Sequence, residues 1–209
     1  MNKPPIGAGA LVPGGGRDLA ALKQEVQHRA DRGMPPVSGV TPEDTNAALA
    51  RIGSLGRDEW AGAFSAVAEE HWDRARSLEK SDRAASAKEY WQAWRVFHFA
   101  RWPTENSPAK QKARTRPLES FHKHAELLDP PVETVRIPFE GREIVAYLRL
   151  PEKIRPVPLI FGIAGLDSRK EDLPAHTDAV LRNGLALFAV DLPGTGESPH
   201  AAGEVASDR

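Results

Sequence analysis

The 209 residues include no cysteine, which removes disulfides, thiolate metal sites and cysteine nucleophiles together and is compatible with a reducing cytoplasm. Neither sign of charge is in excess: 28 Lys and Arg face 29 Asp and Glu, so no one-signed field argues for nucleic acid or an anionic membrane. A small organic partner is the expectation that remains. No apolar run approaches the roughly 20 residues that cross a bilayer. Met1 to Gly16 lack the charged start and apolar block of an export signal, so the expected location is the cytoplasm. Pro4, Pro5, Pro13 and the Gly14–Gly16 run leave that stretch too little apolar surface to offset its ordering entropy, and residues 1–17 are expected to form a disordered leader.

What is present divides into two patterns. From Asp18 to about Ala30, Leu19, Leu22 and Val26 recur at helical intervals, and Gly33, Pro35 and Pro36 close the segment. Thr41 followed by Pro42, Glu43 and Asp44 predicts a helix start, with a hydroxyl cap, proline in the first turn and carboxylates facing the dipole. It should run to about Ile52. The next helix carries Trp60, Phe64, Val67, His71 and Leu78 on one stripe. After a break near Ser81, another carries Ala87, Tyr90, Trp94 and Phe97, with Trp91 and His98 beside them, and ends before Pro103. A last helix is expected from about Pro108 to Leu128, kinked at Pro117.

Near Pro130 helical spacing gives way to alternation. Val135 and Ile137 alternate with polar neighbours, and Glu140-Gly141 turns the chain into Ile144–Leu150, a hairpin. Pro158-Leu-Ile-Phe-Gly-Ile-Ala and Leu185-Ala-Leu-Phe-Ala-Val are apolar on consecutive positions, as for parallel strands buried on both faces. Lys170 to Asn183 between them reads as helical, closed by Gly184, which makes a βαβ crossover. The expected domains are a helical segment over 18–130 and an α/β segment over 131–209.

Two glycine-bearing segments follow those strands. Asp191-Leu-Pro-Gly-Thr-Gly-Glu-Ser198 fits the D-x-P-G-x-G-x-S turn of α/β-hydrolases, in which Gly194 and Gly196 let the chain reverse at the carboxyl edge of a sheet. A phosphate cradle competes with that reading, but the Lys-Ser/Thr pair of a P-loop is absent and no G-x-G-x-x-G follows the strand. Gly162-Ile-Ala-Gly-Leu-Asp-Ser-Arg-Lys-Glu171 lies where ligands bind open α/β sheets, and it also reads as an ordinary strand-to-helix turn capped by Asp167 or Ser168.

The helical front, Leu127-Leu-Asp-Pro-Pro, Ile137-Pro-Phe-Glu-Gly with Tyr147-Leu-Arg-Leu-Pro, Gly165-Leu-Asp-Ser-Arg-Lys-Glu and the Asp191 turn, in this order from about Thr41 to Ser198, resemble one branch of the α/β-hydrolases. That branch is the 2,6-dihydroxypseudooxynicotine hydrolase and FrsA-like esterase group. One departure is Ala164, where relatives often carry glycine. The resemblance implies an α/β fold with a helical cap before the first, incomplete part of the sheet. It implies a Ser-Asp-His triad, no cofactor or metal, and hydrolysis of an ester or of a carbon–carbon bond beside a ketone. It also implies that the loop at Gly165 and Leu166 supplies an oxyanion-hole N–H, Leu166 being the donor.

The serine of such a triad sits on a G-x-S-x-G elbow, and none occurs in these 209 residues. Gly53-Ser-Leu-Gly56 lacks one residue of the pattern and reads as a helix stop, and only His200 follows the Asp191 turn. The expectation is an N-terminal portion truncated before the nucleophile and inactive alone. A noncatalytic remnant that binds a partner or associates through an exposed sheet edge is the alternative. Trp91, Trp94, His98 and Trp102 are candidates to line an aromatic substrate cavity, against plain packing of a helical layer. His122 and His124, two apart, point to different helix faces and suit solvent better than a metal. Asp191 reads as a structural carboxylate, and Lys170 and Glu197 as surface or capping charges.

Overall fold

A computed structural model describes residues 18–102, 107–112, 115–151, 156–165, 168–174 and 177–198. The expected leader, Pro103, Leu166, Asp167 and His200 lie outside the described residues. The chain divides into two compact units, one of Met1–Asp73 with Gln92–Leu118, the other of Arg74–Trp91 with Glu119–Arg209. Among the described residues no helix is long and apolar enough to cross a membrane.

The first unit is helical. Helix α1 spans Leu19–Asp31, and the Asp18 carboxylate accepts the N–H groups of Ala20 and Ala21 at 3.2 and 3.4 Å. Helix α2 spans Pro42–Ala50, and Thr41 Oγ1 accepts Asp44 N–H at 3.0 Å, the expected cap satisfying an orphan donor. Gly53–Gly56 is a helix stop: the Glu59 carboxylate accepts Gly53 N–H at 2.6 Å and the Ser54 hydroxyl, so that serine braces a helix start. Helix α3 spans Arg57–Leu78 and α4 spans Arg83–Arg101, each contributing to both units. In the first unit the expected stripe closes a core in which Phe64 stands 4.7 Å from Trp60 and edge-on to Phe99 at 5.0 Å. His71 and Asp44 pair at 3.0 Å.

Of the helix expected from Pro108, the described residues hold Pro108–Lys112 (α5) and Thr115–Leu127 (α6), and residues 113–114 lie outside them. Pro117 lies within the described span of α6.

The second unit holds the sheet. Strands β1 (Glu133–Phe139) and β2 (Arg142–Arg149) form the hairpin, with Phe139 opposite Arg142 and the turn residues Glu140 and Gly141 at φ 47° and 74°. These positive angles match the right-handed twist of paired strands. Strand β3 (Leu159–Ala164) runs parallel to β4 (Ala186–Asp191), and β4 pairs antiparallel with β2, giving the order β1-β2-β4-β3. The helical stretch expected from Lys170 to Asn183 is shorter in the described residues: a 3-10 turn at Lys170–Asp172 and helix α7 at Asp178–Arg182. Pro174 lies between them, and a proline gives up a backbone donor and crowds the preceding turn. Gly184, at φ 73°, closes α7 as expected.

Burial of β3 departs from the expectation of cover on both faces. Among the described residues β3 is an edge strand, and Phe161 and Ile163 are 56% and 55% exposed. Phe161 stacks on Phe188 of β4 at 5.8 Å, while the other face receives Leu173, which a Cβ on Gly162 would strike. Consecutive apolar residues suit a strand covered twice, but they carry no information on what does the covering.

Replacing Thr41 by Ala should cost about 1 kcal/mol through the lost cap, and Phe64 by Ala about 3–5 kcal/mol through an aromatic cavity. Urea denaturation followed by circular dichroism checks both values.

Candidate active-site rim

Strands β3 and β4 are parallel with Ala164 opposite Asp191, so the segments after both leave at one edge of the sheet. The Asp191 turn is held by bonds within itself and to the end of β3. Leu192 N–H donates to the Ala164 carbonyl at 2.9 Å, carrying the pairing one residue further. Ser198 Oγ donates to the Asp191 carbonyl at 2.8 Å and closes the loop, and Thr195 Oγ1 donates to the Leu192 carbonyl at 2.8 Å. Gly194 and Gly196 take φ 77° and 53°, and a methyl at residue 196 would overlap the Asp191 carboxylate. This is the structural carboxylate the sequence suggests.

The group that Asp191 holds is Lys170. Far from being a surface charge, Lys170 is 0% exposed, because three carboxylates replace the water it loses. Its Nζ donates to Glu171 Oε1 at 2.9 Å, Asp191 Oδ2 at 3.0 Å and Glu197 Oε2 at 2.6 Å, and its backbone N–H donates to Asp191 Oδ1 at 2.9 Å. Glu197 is likewise a partner rather than a loose surface charge, and its own N–H donates to Asp191 Oδ2 at 3.2 Å. Burial alone would lower the Lys170 pKa, but the three carboxylates outweigh it and hold the ammonium above its ordinary value. Burial pushes the Glu171 carboxyl up, against the pull of Lys170 and with the repulsion of Asp191.

Tyr147 packs its ring over the ammonium, 4.8 Å from Nζ to the centroid, and donates its hydroxyl to Glu197 at 3.3 Å. Burial raises its pKa, as do Glu171 and Glu197. His122 Nε2 lies 3.1 Å from that hydroxyl, which makes the imidazole the donor when the phenol donates onward. The contact faces an open cleft of about 290 Å³ bordered by Glu126, Thr134 and Arg136. His124 is buried rather than solvated: it lies on the inner face of α6, with Nδ1 2.8 Å from the Ala87 carbonyl. Among the described residues no three His, Asp or Glu side chains gather to hold a metal.

Gly165 N–H donates to Ser168 Oγ at 3.1 Å, and a Cβ on Gly165 would meet no atom of the described residues within 4 Å. Of the aromatic candidates, Trp94 and His98 stack at 5.2 Å and Trp102 lies 6.2 Å from Phe99, all in the first unit. Trp91, in the second unit, lies 5.2 Å from His124.

Sequence reasoning missed Arg149, Tyr147 and Glu171. Arg149 is 1% exposed and donates to the Pro130 and Pro174 carbonyls, Thr177 Oγ1 and Asp178 Oδ1. A signal existed, since residue 149 shares the parity of Val145 and Tyr147 on the buried face of β2.

The model of the FrsA-like esterases matches residues 46–205. The chain belongs to the FrsA-like esterase family. Among its relatives, the 2,6-dihydropseudooxynicotine hydrolase of Paenarthrobacter nicotinovorans is 36% identical over 88 residues, covering 42% of this chain and 24% of that protein. The Esterase FrsA of Vibrio parahaemolyticus is 27% identical over 143 residues, covering 68% and 34%. The crystal structure of the 2,6-dihydroxy-pseudo-oxynicotine hydrolase superposes with a TM-score of 0.65 at 27% identity, over 77% of this chain and 45% of that one. The chain thus spans between about a quarter and a half of the length of these relatives. The fold is that of the α/β-hydrolases, and its family relatives are hydrolases and esterases.

Two substitutions test the rim. Gly196→Ala should destabilise by about 1–3 kcal/mol, since overlap with Asp191 adds to a strained φ. Glu171 holds a raised pKa when folded, so the folded state binds more protons above the unfolded carboxyl value, and stability is lost as pH climbs from about 4.5. Glu171→Gln removes that loss. Its stability relative to the parent, measured in urea at pH 5 and pH 8, should therefore rise with pH, whereas a difference that stays level contradicts the assignment.

Proposed function

We propose that this chain is the N-terminal part of a serine-dependent α/β-hydrolase that cleaves an ester, or a carbon–carbon bond beside a ketone, in a small organic substrate. The observation that carries the reading is the shared edge at which β3 and β4 end, with Gly165 after one strand and the Asp191 turn after the other. Ligands of open α/β sheets bind at such an edge. Gly165 N–H is taken by Ser168, so the next amide, of Leu166, is the one assigned to the oxyanion. In this reading a nucleophile outside these 209 residues attacks the carbonyl and the Leu166 N–H receives the charge that develops on oxygen; of the aromatic candidates Trp91, Trp94, His98 and Trp102, Trp94 is 1% exposed and serves as packing.

The purified 209-residue chain should show no saturable hydrolysis of p-nitrophenyl butyrate. In the gene product that carries it, Leu166→Pro, which deletes the donor, should lower kcat by about 10²–10³. Saturable turnover by the 209 residues alone, abolished by Leu166→Pro, would overturn the external nucleophile.

The exposed apolar residues Leu159, Ile160, Phe161 and Ile163 favour a second reading, association through the β3 edge. Sedimentation of the 209-residue chain should then show concentration-dependent association that Phe161→Lys weakens. A monomer at all concentrations speaks against it.

A further inference from the structure

Burying an ammonium beside three carboxylates is a poor way to gain stability, because an apolar side chain of similar volume in a neutral pocket usually does as well or better. What the charged arrangement supplies, and a methionine could not, is direction. Lys170 grips one carboxylate with both of its ends: the backbone N–H on Asp191 Oδ1 and Nζ on Asp191 Oδ2, at 2.9 and 3.0 Å. The backbone just after the β3 loop therefore cannot slide along β4 without breaking a main-chain and a side-chain bond together. The same Nζ reaches Glu197, six residues beyond Asp191, so both ends of the glycine turn hang on one atom. The Tyr147 ring closes the remaining side, and its hydroxyl fixes Glu197 a second time. Around the loop, Ser168 Oγ accepts Gly165 N–H at 3.1 Å and Asp172 Oδ2 accepts Arg169 N–H at 3.1 Å.

We propose that Lys170 is a positioning residue of the active-site rim, locking the Ser168–Lys170 backbone, the described end of the loop after β3, to the Asp191–Ser198 turn. The proposal rests on the hydrolase reading above. Donors aimed at developing charge work only while held in place, and a displacement of about 1 Å can cost about a hundredfold in rate. Lys170 touches no substrate in this scheme and acts through the loop it anchors.

The test uses Lys170→Met, the charge-compensated pair Lys170→Met with Asp191→Asn, and Lys170→Arg. In the gene product carrying the chain, with p-nitrophenyl butyrate as probe, Lys170→Met should lower kcat by about tenfold or more with KM within about twofold. The compensated pair removes one of the three carboxylates left without their cation and restores the net charge, and should regain part of the thermal stability without regaining kcat. Lys170→Arg, which keeps the charge and side-chain N–H donors, should recover part of kcat. In the 209-residue chain, hydrogen exchange at Gly165, Ser168 and the Asp191–Ser198 turn should quicken in the compensated pair, while the β1–β2 hairpin keeps its parental rates. A compensated variant that folds with parental kcat, or with parental exchange at Gly165 and Ser168, overturns the proposal. Should the parental protein not hydrolyse the ester at all, the ester branch of the hydrolase reading fails, and the exchange rates still decide whether Lys170 locks the rim.

Discussion

A charged ammonium placed out of reach of water has to find its counter-charges within the chain, and this constraint organises the second unit. Lys170 satisfies it with Glu171 beside it in sequence and with Asp191 and Glu197 from across the sheet edge. Each partner has requirements of its own. Asp191 must end β4 beside the end of β3, residue 196 must lack a side chain so that the carboxylate fits, and Tyr147 must bring an aromatic face from β2. The glycine turn and the loop after β3 are therefore solutions to one electrostatic problem.

Arg149 solves the matching problem at another place on the same sheet, by different means. Its guanidinium spends its donors chiefly on carbonyl oxygens, those of Pro130, Asp129 and Pro174, with Asp178 as its ionic partner. The planar fork suits several fixed acceptors at once, where the compact ammonium of Lys170 suits a ring of carboxylates. One cation ties the entry of the strands to the start of α7, and the other ties two exits of the sheet.

The sequence discloses most where structure is local. Thr41, Asp18, Gly33 and Gly184 announce helix ends because capping involves a few neighbouring residues, and Glu140-Gly141 announces a hairpin because the turn needs positive φ. The D-x-P-G-x-G-x-S motif is legible for the same reason, since its bonds run within eight residues. What escapes is whatever depends on a partner distant along the chain. Nothing near Lys170 in sequence states that Asp191 and Glu197 will meet it, so charged residues in a polar stretch look like solvent-facing ones. Burial of β3 escapes for a related reason, since apolar character on both faces does not reveal the neighbour. Pro174 shows a third limit: it stood in plain view within a stretch read as continuous helix, and the periodicity around it obscured its effect.

The two compact units are interleaved along the chain, which passes from the first to the second within α3, returns within α4 and leaves again near Leu118. A single genetic crossover therefore cannot exchange one unit for a homologous counterpart while leaving the other whole. Recombination between relatives would have to join both halves of α3 and of α4 to matching sequences, so the helical front and the strands must change in step rather than be traded as cassettes.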